Sequence, residues 1–301
     1  MSEQRTPTGG VSRRCILRTL LAAAAASAVP ITHAASGHRL RIGWAPWVDA
    51  EIVTRLAQLV LEQRVEQPVE LVLEDIESIY RDLGDGSIDV MLMSWQPHTH
   101  APLLEMVEGE AEDLGVIYKG VRLGWVVPDY VPVESLERIG DLAKDEVRRA
   151  LRGAIQGIDP NSGLMRLSRE ALRAYGLSDY TLRSANAARL DIAIEAAVQR
   201  RDWIVATAWT PHWMFARYDL RFLEDPQGVL GEPESVHALG RAGFSEAFPE
   251  AAAFLRSFHL GLGELQKMML AATASSPEQS VQAWTAANTD SIGQWVAAVA
   301  G

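Results

Sequence analysis

The chain of 301 residues contains one cysteine, Cys15. That residue falls in a segment read below as a removed export signal, so the rest of the chain holds no disulfide, no thiol nucleophile and no thiolate metal ligand. Basic charge is scarce too: 28 Lys and Arg stand against 39 Asp and Glu, a formal net charge of −11. An acidic surface of this kind disfavours nucleic acid and anionic membranes as partners. No Gly-rich nucleotide loop, Ser nucleophile elbow or pair of catalytic carboxylates stands out, so the common signatures of catalysis are missing. No low-complexity stretch follows the N-terminal signal. Phenylalanine is sparse beside tryptophan, 6 against 9. Trp is normally the rarer core residue, so the imbalance points to indoles that serve recognition as well as packing.

The first 34 residues read as a signal rather than as part of the fold. Ser12-Arg13-Arg14-Cys15-Ile16-Leu17 sets a twin arginine ahead of apolar residues, an apolar stretch covers 20–29, and Thr32-His33-Ala34 supplies a small-x-small cleavage site. The apolar stretch is too short to span a bilayer, and Cys15 is not at its end, where a lipid-modified cysteine would belong. The expectation is a periplasmic protein exported by a twin-arginine-type signal, with an ordinary Sec signal as the alternative. Removing residues 1–34 takes away Arg5, Arg13, Arg14, Arg18 and Glu3, which leaves 24 basic and 38 acidic residues, a net −14.

What the chain does have is a repeated tripeptide, Trp-x-Pro. It occurs as Trp44-Ala45-Pro46, Trp95-Gln96-Pro97 and Trp209-Thr210-Pro211, the last two extended by His98 and His212. Two copies follow short apolar runs ending in a small residue, at 90–94 and 204–208, and the first follows 40–43. Each reads as a buried strand that stops at a large aromatic, with proline forbidding its continuation. Carboxyl ends of strands are where α/β proteins bind ligands. Indoles delivered to several such ends predict an aromatic box.

Strand and helix signals alternate along the chain. Strands are expected at 40–43, 69–73, 90–94, 115–118, 123–127, 154–158, 181–184, 204–208 and 236–241. Helices are expected at 49–63, with Ile52, Val53, Leu56, Leu59 and Val60 on one face, at 78–83 closed by Gly84, after Ser135 as a cap, at 164–175 and at 188–200. The remainder reads as helical, with Trp284 and Trp295 suited to helix packing. Alternating βα units argue for an α/β class with largely parallel sheets. The echo of strand followed by Trp-x-Pro-His in each half suggests two similar lobes.

Three pieces of chemistry sit on this frame. A quaternary ammonium has no N–H to donate, so hydrogen bonding cannot select it, whereas indole faces can, at about 2 kcal/mol or more per desolvated cation–π contact. Gly157-Ile158-Asp159-Pro160-Asn161-Ser162-Gly163-Leu164 opens a helix whose free amides and dipole either bind an anion or are simply capped. Without a following Gly-Lys-Ser/Thr it is no P-loop. His98, Thr99 and His100 place two imidazoles near Trp95. With His212 they could form a metal site, but no acidic partner or thiolate stands at ligand spacing. A histidine donating to a ligand carboxylate fits better.

Trp95-Gln96-Pro97-His98-Thr99-His100, the run from Gly157 to Met165, and the run from Trp209 to Leu220 resemble the glycine betaine/proline betaine/choline-binding proteins of ABC transporters. By the order and spacing of these motifs the resemblance covers about residues 38–297. It implies a two-lobed α/β fold, the periplasmic-binding-protein or Venus-flytrap type with two crossover strands. Lobe 1 would comprise 38–121 plus 233–301, and lobe 2 would comprise 122–232. It also implies a cage of Trp47, Trp95 and Trp209, Trp47 being preferred to Trp44 for its distance from Val60-Leu61-Glu62 at the end of the following helix. The carboxylate of a betaine would be held by His100 and by the amides of Gly163 and Leu164.

One position departs from the betaine pattern. Asp49 stands where betaine binders often carry a small or neutral residue and where choline binders carry an acid that accepts the alcohol proton. The alternative is that Asp49 is the N-cap of the helix from Ala50. Trp44 and Trp125 are read as packing, and His98 and His212 as braces of the proline turns. The expected function is the substrate-binding component of an ABC importer, a monomer that delivers glycine betaine or a related betaine to an inner-membrane permease, without cofactor, metal or catalysis. The alternatives are a choline carrier, a sensory module on the same fold, and an exported metal enzyme using His98, His100 and His212.

Overall fold

The computed structural model describes residues 39–299; the export signal expected at 1–34 lies outside the described residues. The chain begins with β1 (Leu40–Trp44), α1 (Val48–Arg64), β2 (Val69–Leu73), α2 (Ile76–Asp85), β3 (Val90–Gln96), α3 (Ala101–Met106) and the long β4 (Ala111–Pro128). It continues through α4 (Asp145–Ala150), β5 (Ala154–Gln156), α5 (Gly163–Ala174), β6 (Thr181–Arg183), α6 (Ala187–Arg200), β7 (Ala206–Thr210), α7 (Met214–Arg217) and β8 (Leu220–Phe222). After β9 (Glu234–Arg241) come α8 (Phe244–Ala247), α9 (Pro249–Ser257), α10 (Leu262–Ala274), α11 (Pro277–Ala287) and α12 (Thr289–Ala297).

Local chemistry explains most of these boundaries. In α1, Ile52, Val53, Leu56, Ala57, Val60 and Leu61 recur at helical spacing and are buried. Helix α2 starts at Asp75, whose carboxylate accepts the amides of Glu77 and Ser78, and ends at Gly86 in the left-handed region (φ 80°). Gly84, expected to close that helix, lies inside it, because Gly86 is the residue that turns the chain. Strand β3 is buried from Val90 to Trp95, as an apolar run covered on both faces must be. It stops one residue before Pro97, which has no amide for the ladder. Ser135 caps no helix: its own amide bonds to the carbonyl of Pro132, and the next helical turn is the 3₁₀ segment Ile139–Ala143.

The strands form one curled sheet in the order β2-β1-β3-β9-β4-β7-β5-β6, with β8 added on β4. The pairs β1–β2, β1–β3, β5–β6 and β5–β7 are parallel. Every pairing made by β4 or β9 is antiparallel. The expected largely parallel sheet is therefore corrected to a mixed one, because two parallel groups are joined through strands that run against them. Strand β4 also replaces the two strands expected at 115–118 and 123–127. The chain passes the expected gap at 119–122 with irregularities in the ladder, Gly115 and Gly120 standing at φ 111° and 80°. Residues 111–121 of β4 pair with β9 and residues 122–128 with β7 and β8. One strand thus belongs to both halves of the sheet.

Two tryptophan sites show ordinary packing. Trp125 is wholly buried and donates its indole N–H to Ser168 Oγ at 2.9 Å, which satisfies the one polar atom it takes into the core. Trp284 and Trp295 stack at 5.7 Å with 12° between planes, and Phe258 meets Trp295 edge-on at 4.9 Å. This aromatic cluster holds α11 and α12 against the chain leaving α9.

Candidate functional site

Three strand ends and one helix start deliver the site. Strand β3 carries Trp95 as its last residue but one, two positions before Pro97, and β7 carries Trp209 in the same place before Pro211; the Gln96-Pro97 and Thr210-Pro211 bonds are both cis. Trp47 is the residue preceding α1, a short step beyond the end of β1. Helix α5 points its N-terminus, Gly163 and Leu164, at the same space. All seven residues singled out in the sequence, Trp47, Asp49, Trp95, His100, Gly163, Leu164 and Trp209, line a single cavity. Thr99, Leu123, Ile158 and Ser162 complete its walls. The three indoles are only 8, 4 and 4% exposed, so little of their surface meets bulk water.

Two of the indoles are tied by carboxylates reaching from distant parts of the chain. Trp47 Nε1 donates to Asp159 Oδ2 at 3.1 Å, in the turn before α5. Trp209 Nε1 donates to Asp49 Oδ1 at 3.0 Å, and Tyr118 Oη donates to Asp49 Oδ2 at 3.0 Å. Asp49 is therefore not the N-cap. Helix α1 starts at Val48, its cap residue is Trp47 with no side-chain cap bond, and Asp49 lies inside the first turn. Burial pushes the Asp49 carboxyl above its ordinary value, while Tyr118, Trp209 and the amides of Asp49 and Ala50 pull it back. Burial beside this acid also raises the Tyr118 phenol well above its usual range. The outcome is an acidic side chain held rigidly beside the indoles by two hydrogen bonds.

Hydrogen-bond donors face the cavity from His100 and α5. His100 is buried, and its Nδ1 accepts the Trp95 amide at 3.2 Å with Tyr80 Oη at 3.3 Å. Burial, with the charge of Arg166 as second cause, pushes its pKa down to about 3. The ring is therefore neutral, and with Nδ1 accepting, the proton sits on Nε2. At α5, Ser162 Oγ accepts the amide of Met165 at 3.2 Å, so the cap bond serves the third helical amide. The amides of Gly163 and Leu164 have no acceptor among the described residues. Three N–H donors without a partner among the described residues thus belong to the cavity's lining residues, two of them at a helix N-terminus.

Other candidates are not brought in. His98 is exposed. His212 lies behind Trp209, edge-on at 4.7 Å, with Nδ1 accepting the Met214 amide at 3.2 Å and Nε2 3.8 Å from Asp191. Burial pushes His212 down to about 3 and Asp191 up to about 7. Among the described residues, no group of three His, Cys, Asp or Glu is placed to hold a metal ion. Trp44 packs under the Arg55 guanidinium at 5.7 Å and does not line the cavity, and neither does Trp125. Of the wall residues missed from sequence, Thr99, Ile158 and Ser162 sat inside motifs already singled out. Leu123 had no local signal, and neither did Tyr118 behind the wall, because the register of β4 alone brings them there.

Residues 38–287 match the family described as the substrate binding domain of ABC-type glycine betaine transport systems, OpuAC. The chain belongs to this family. The glycine betaine/carnitine transport binding protein GbuC of Listeria monocytogenes serotype 1/2a (strain 10403S) is 32% identical over 156 residues, 51% of this chain and 52% of that protein. The match therefore spans about half the length of this curated relative. Among solved structures, lactococcal OpuAC in its closed-liganded conformation with glycine betaine aligns at TM-score 0.79 and 26% identity, covering 86% of this chain and 99% of that one. The glycine betaine/L-proline-binding protein ProX of Borrelia burgdorferi aligns at TM-score 0.81 and 27% identity, covering 86% and 97%. A choline-binding protein in complex with choline shares the fold, at TM-score 0.79 and 22% identity over 87% and 96%. The OpuAC-family chain thus has the two-lobed architecture of periplasmic binding proteins. No helix among its described residues is long and apolar enough to cross a membrane.

Proposed function

We propose that this protein is the exported, periplasmic substrate-binding component of an ABC importer, and that it carries glycine betaine or a closely related betaine to a membrane permease. The observation that supports the reading is the pairing, in one cavity, of three indoles with three N–H donors that have no partner among the described residues. Trp47, Trp95 and Trp209 suit a trimethylammonium, and Asp49 holds the Trp209 indole in place through its N–H. His100 Nε2–H and the amides of Gly163 and Leu164 suit a carboxylate. A zwitterion with its charges at opposite ends satisfies both sets. Lobes at 38–121 plus 233–301 and at 122–232 agree with the change of pairing partner along β4 after Val121. Their closure removes water from both ends of the ligand, and opening releases it unchanged.

Choline is the second reading, and Asp49 is the observation in its favour. Both Asp49 oxygens are already engaged by Tyr118 and Trp209, and a ligand without a carboxylate would leave three donors unpaired, which is costly in a dry site. Betaine is therefore ranked first. Titrating wild type and Asp49→Asn with glycine betaine and with choline, following tryptophan emission, tests the choice. Tighter betaine binding, weakened but retained in the variant, is expected. Choline binding that exceeds betaine and vanishes in the variant would reverse the order, and no response to either ligand would overturn the function.

A further inference from the structure

The peptide groups around Thr99, between Trp95 and His100, are gripped from two sides. The buried carboxylate of Glu234, the first residue of β9, accepts the amides of His98 at 2.7 Å and Thr99 at 3.0 Å and also the Thr99 hydroxyl. From α5, Arg166 donates through Nη2 to the carbonyls of His98 at 3.0 Å and Thr99 at 3.2 Å, while its Nη1 is oriented by Glu170 at 3.1 Å. The N–H groups of the turn thus face an anion and its C=O groups face a cation. In that arrangement each charge polarises the peptides toward the other. Gly163, one helical turn before Arg166, presses on the same place: a Cβ there would stand 2.5 Å from both Thr99 O and Thr99 Cγ2. Neither Arg166 nor Glu234 lines the cavity.

We propose that Arg166 is a positioning residue that bolts the cavity shut, by binding the two carbonyls of the 98–99 turn, aligned by Glu234, only when α5 has closed onto that turn. The inference rests on the two-lobed ligand-carrying function proposed above. Its logic is geometric. The turn carries Trp95 and His100 at its two ends, and α5 carries the Gly163 and Leu164 amides, so a ligand bridging these groups and Arg166 bridging the backbones hold the same pair of elements together. Arg166 therefore slows opening without touching the ligand. Its side chain is 31% exposed, so its replacement leaves the core intact.

The test compares the wild-type chain with Arg166→Gln and Arg166→Lys by stopped-flow tryptophan fluorescence with glycine betaine and with choline. Losing two charge-assisted hydrogen bonds at a part-exposed site should raise the dissociation rate about tenfold in Arg166→Gln. The association rate and the limiting fluorescence change should stay at wild-type values, because neither the cage nor the entry path is altered. Arg166→Lys should fall between, since an ammonium supplies charge but not the two-pronged fork. A wild-type dissociation rate in Arg166→Gln, or a loss confined to association, would overturn the bolt while leaving the ligand reading intact. A wild-type protein silent to both ligands would overturn the ligand reading, and the bolt with it.

Discussion

The turns at 95–98 and 209–212 share the pattern Trp-x-Pro-His, each ends a buried strand, and each gives its indole to the same cavity, yet the two are held in different ways. Among the described residues the Trp95 side chain has no hydrogen-bond partner; the turn after it is fixed through its backbone, by Glu234 on one side and Arg166 on the other. Its own histidine, His98, faces outward, and His100, two residues further, supplies the inward donor. Trp209 is fixed through its side chain, by the N–H bond to Asp49, and His212 backs it edge-on from the core. The first turn is thus a polar edge suited to an anion, and the second an aromatic wall next to a carboxylate, suited to a cation. A shared tetrapeptide dictates where the strand stops. What the stop becomes depends on which distant side chains reach it.

The largest test of this difference is to delete each wall. Trp209→Ala removes a cation–π face and also orphans one oxygen of the buried Asp49, so betaine affinity should fall by about 3 kcal/mol. Trp95→Ala removes the face alone and should cost about 2 kcal/mol, both read by isothermal titration calorimetry. Equal losses would mean that Asp49 contributes nothing through Trp209.

Acid stability should separate the turns next. His100 and His212 are both held at about 3 against an ordinary value of 6.5. Below pH 6.5 the unfolded chain takes up protons that the folded one refuses, so the stability each histidine gives near neutrality is lost as pH falls toward 3. Asp191, raised from 3.8 to about 7 and only 3.8 Å from His212, works in the opposite sense. Its contribution is fully present below pH 3.8 and disappears as pH rises through about 7, which offsets the histidine beside it. Asp191→Asn should therefore steepen acid destabilisation between pH 6.5 and 4, by on the order of 1–2 kcal/mol in urea melts. A parallel pH profile would show that the second turn has no such compensation.

The smallest effect should come from the tryptophan that shares the motif but not the cavity. Trp44→Phe should leave betaine affinity within about 0.5 kcal/mol of wild type, as expected for a residue away from the ligand. A larger loss would place Trp44 among the ligand's neighbours and erase the distinction between the first repeat and the other two.

Much of the site was legible because it is built from local signals. A run of buried residues followed by Trp-x-Pro marks a strand end without any knowledge of the rest of the chain, and Ser162-Gly163-Leu164 marks a helix start in the same way. The misread parts share one cause. Two strands are expected at 115–118 and 123–127 where the structure has the single β4, because a glycine bulge and a turn look alike until a partner strand shows that the ladder continues. The mixed direction of the sheet was missed because βα alternation reports on neighbours in sequence, whereas β4 and β9 are neighbours only in space. Asp49 was ambiguous for a related reason: a carboxylate in a first helical turn looks like a cap, and only Tyr118 and Trp209 reveal its task.

By itself, then, the sequence determined where strands and helices stop, which indoles stand at those stops and where a helix start leaves amides free, since each follows from proline, glycine and apolar periodicity within a few residues. Only the tertiary structure decided that the two carboxylates Asp49 and Asp159 anchor the indoles of opposite sides, that Leu123 closes the wall, and that Glu234 and Arg166 share one turn. Those pairings join residues 67 to 160 positions apart, and a hydrogen bond at such separation exists only after the sheet has set the register that brings its two ends together.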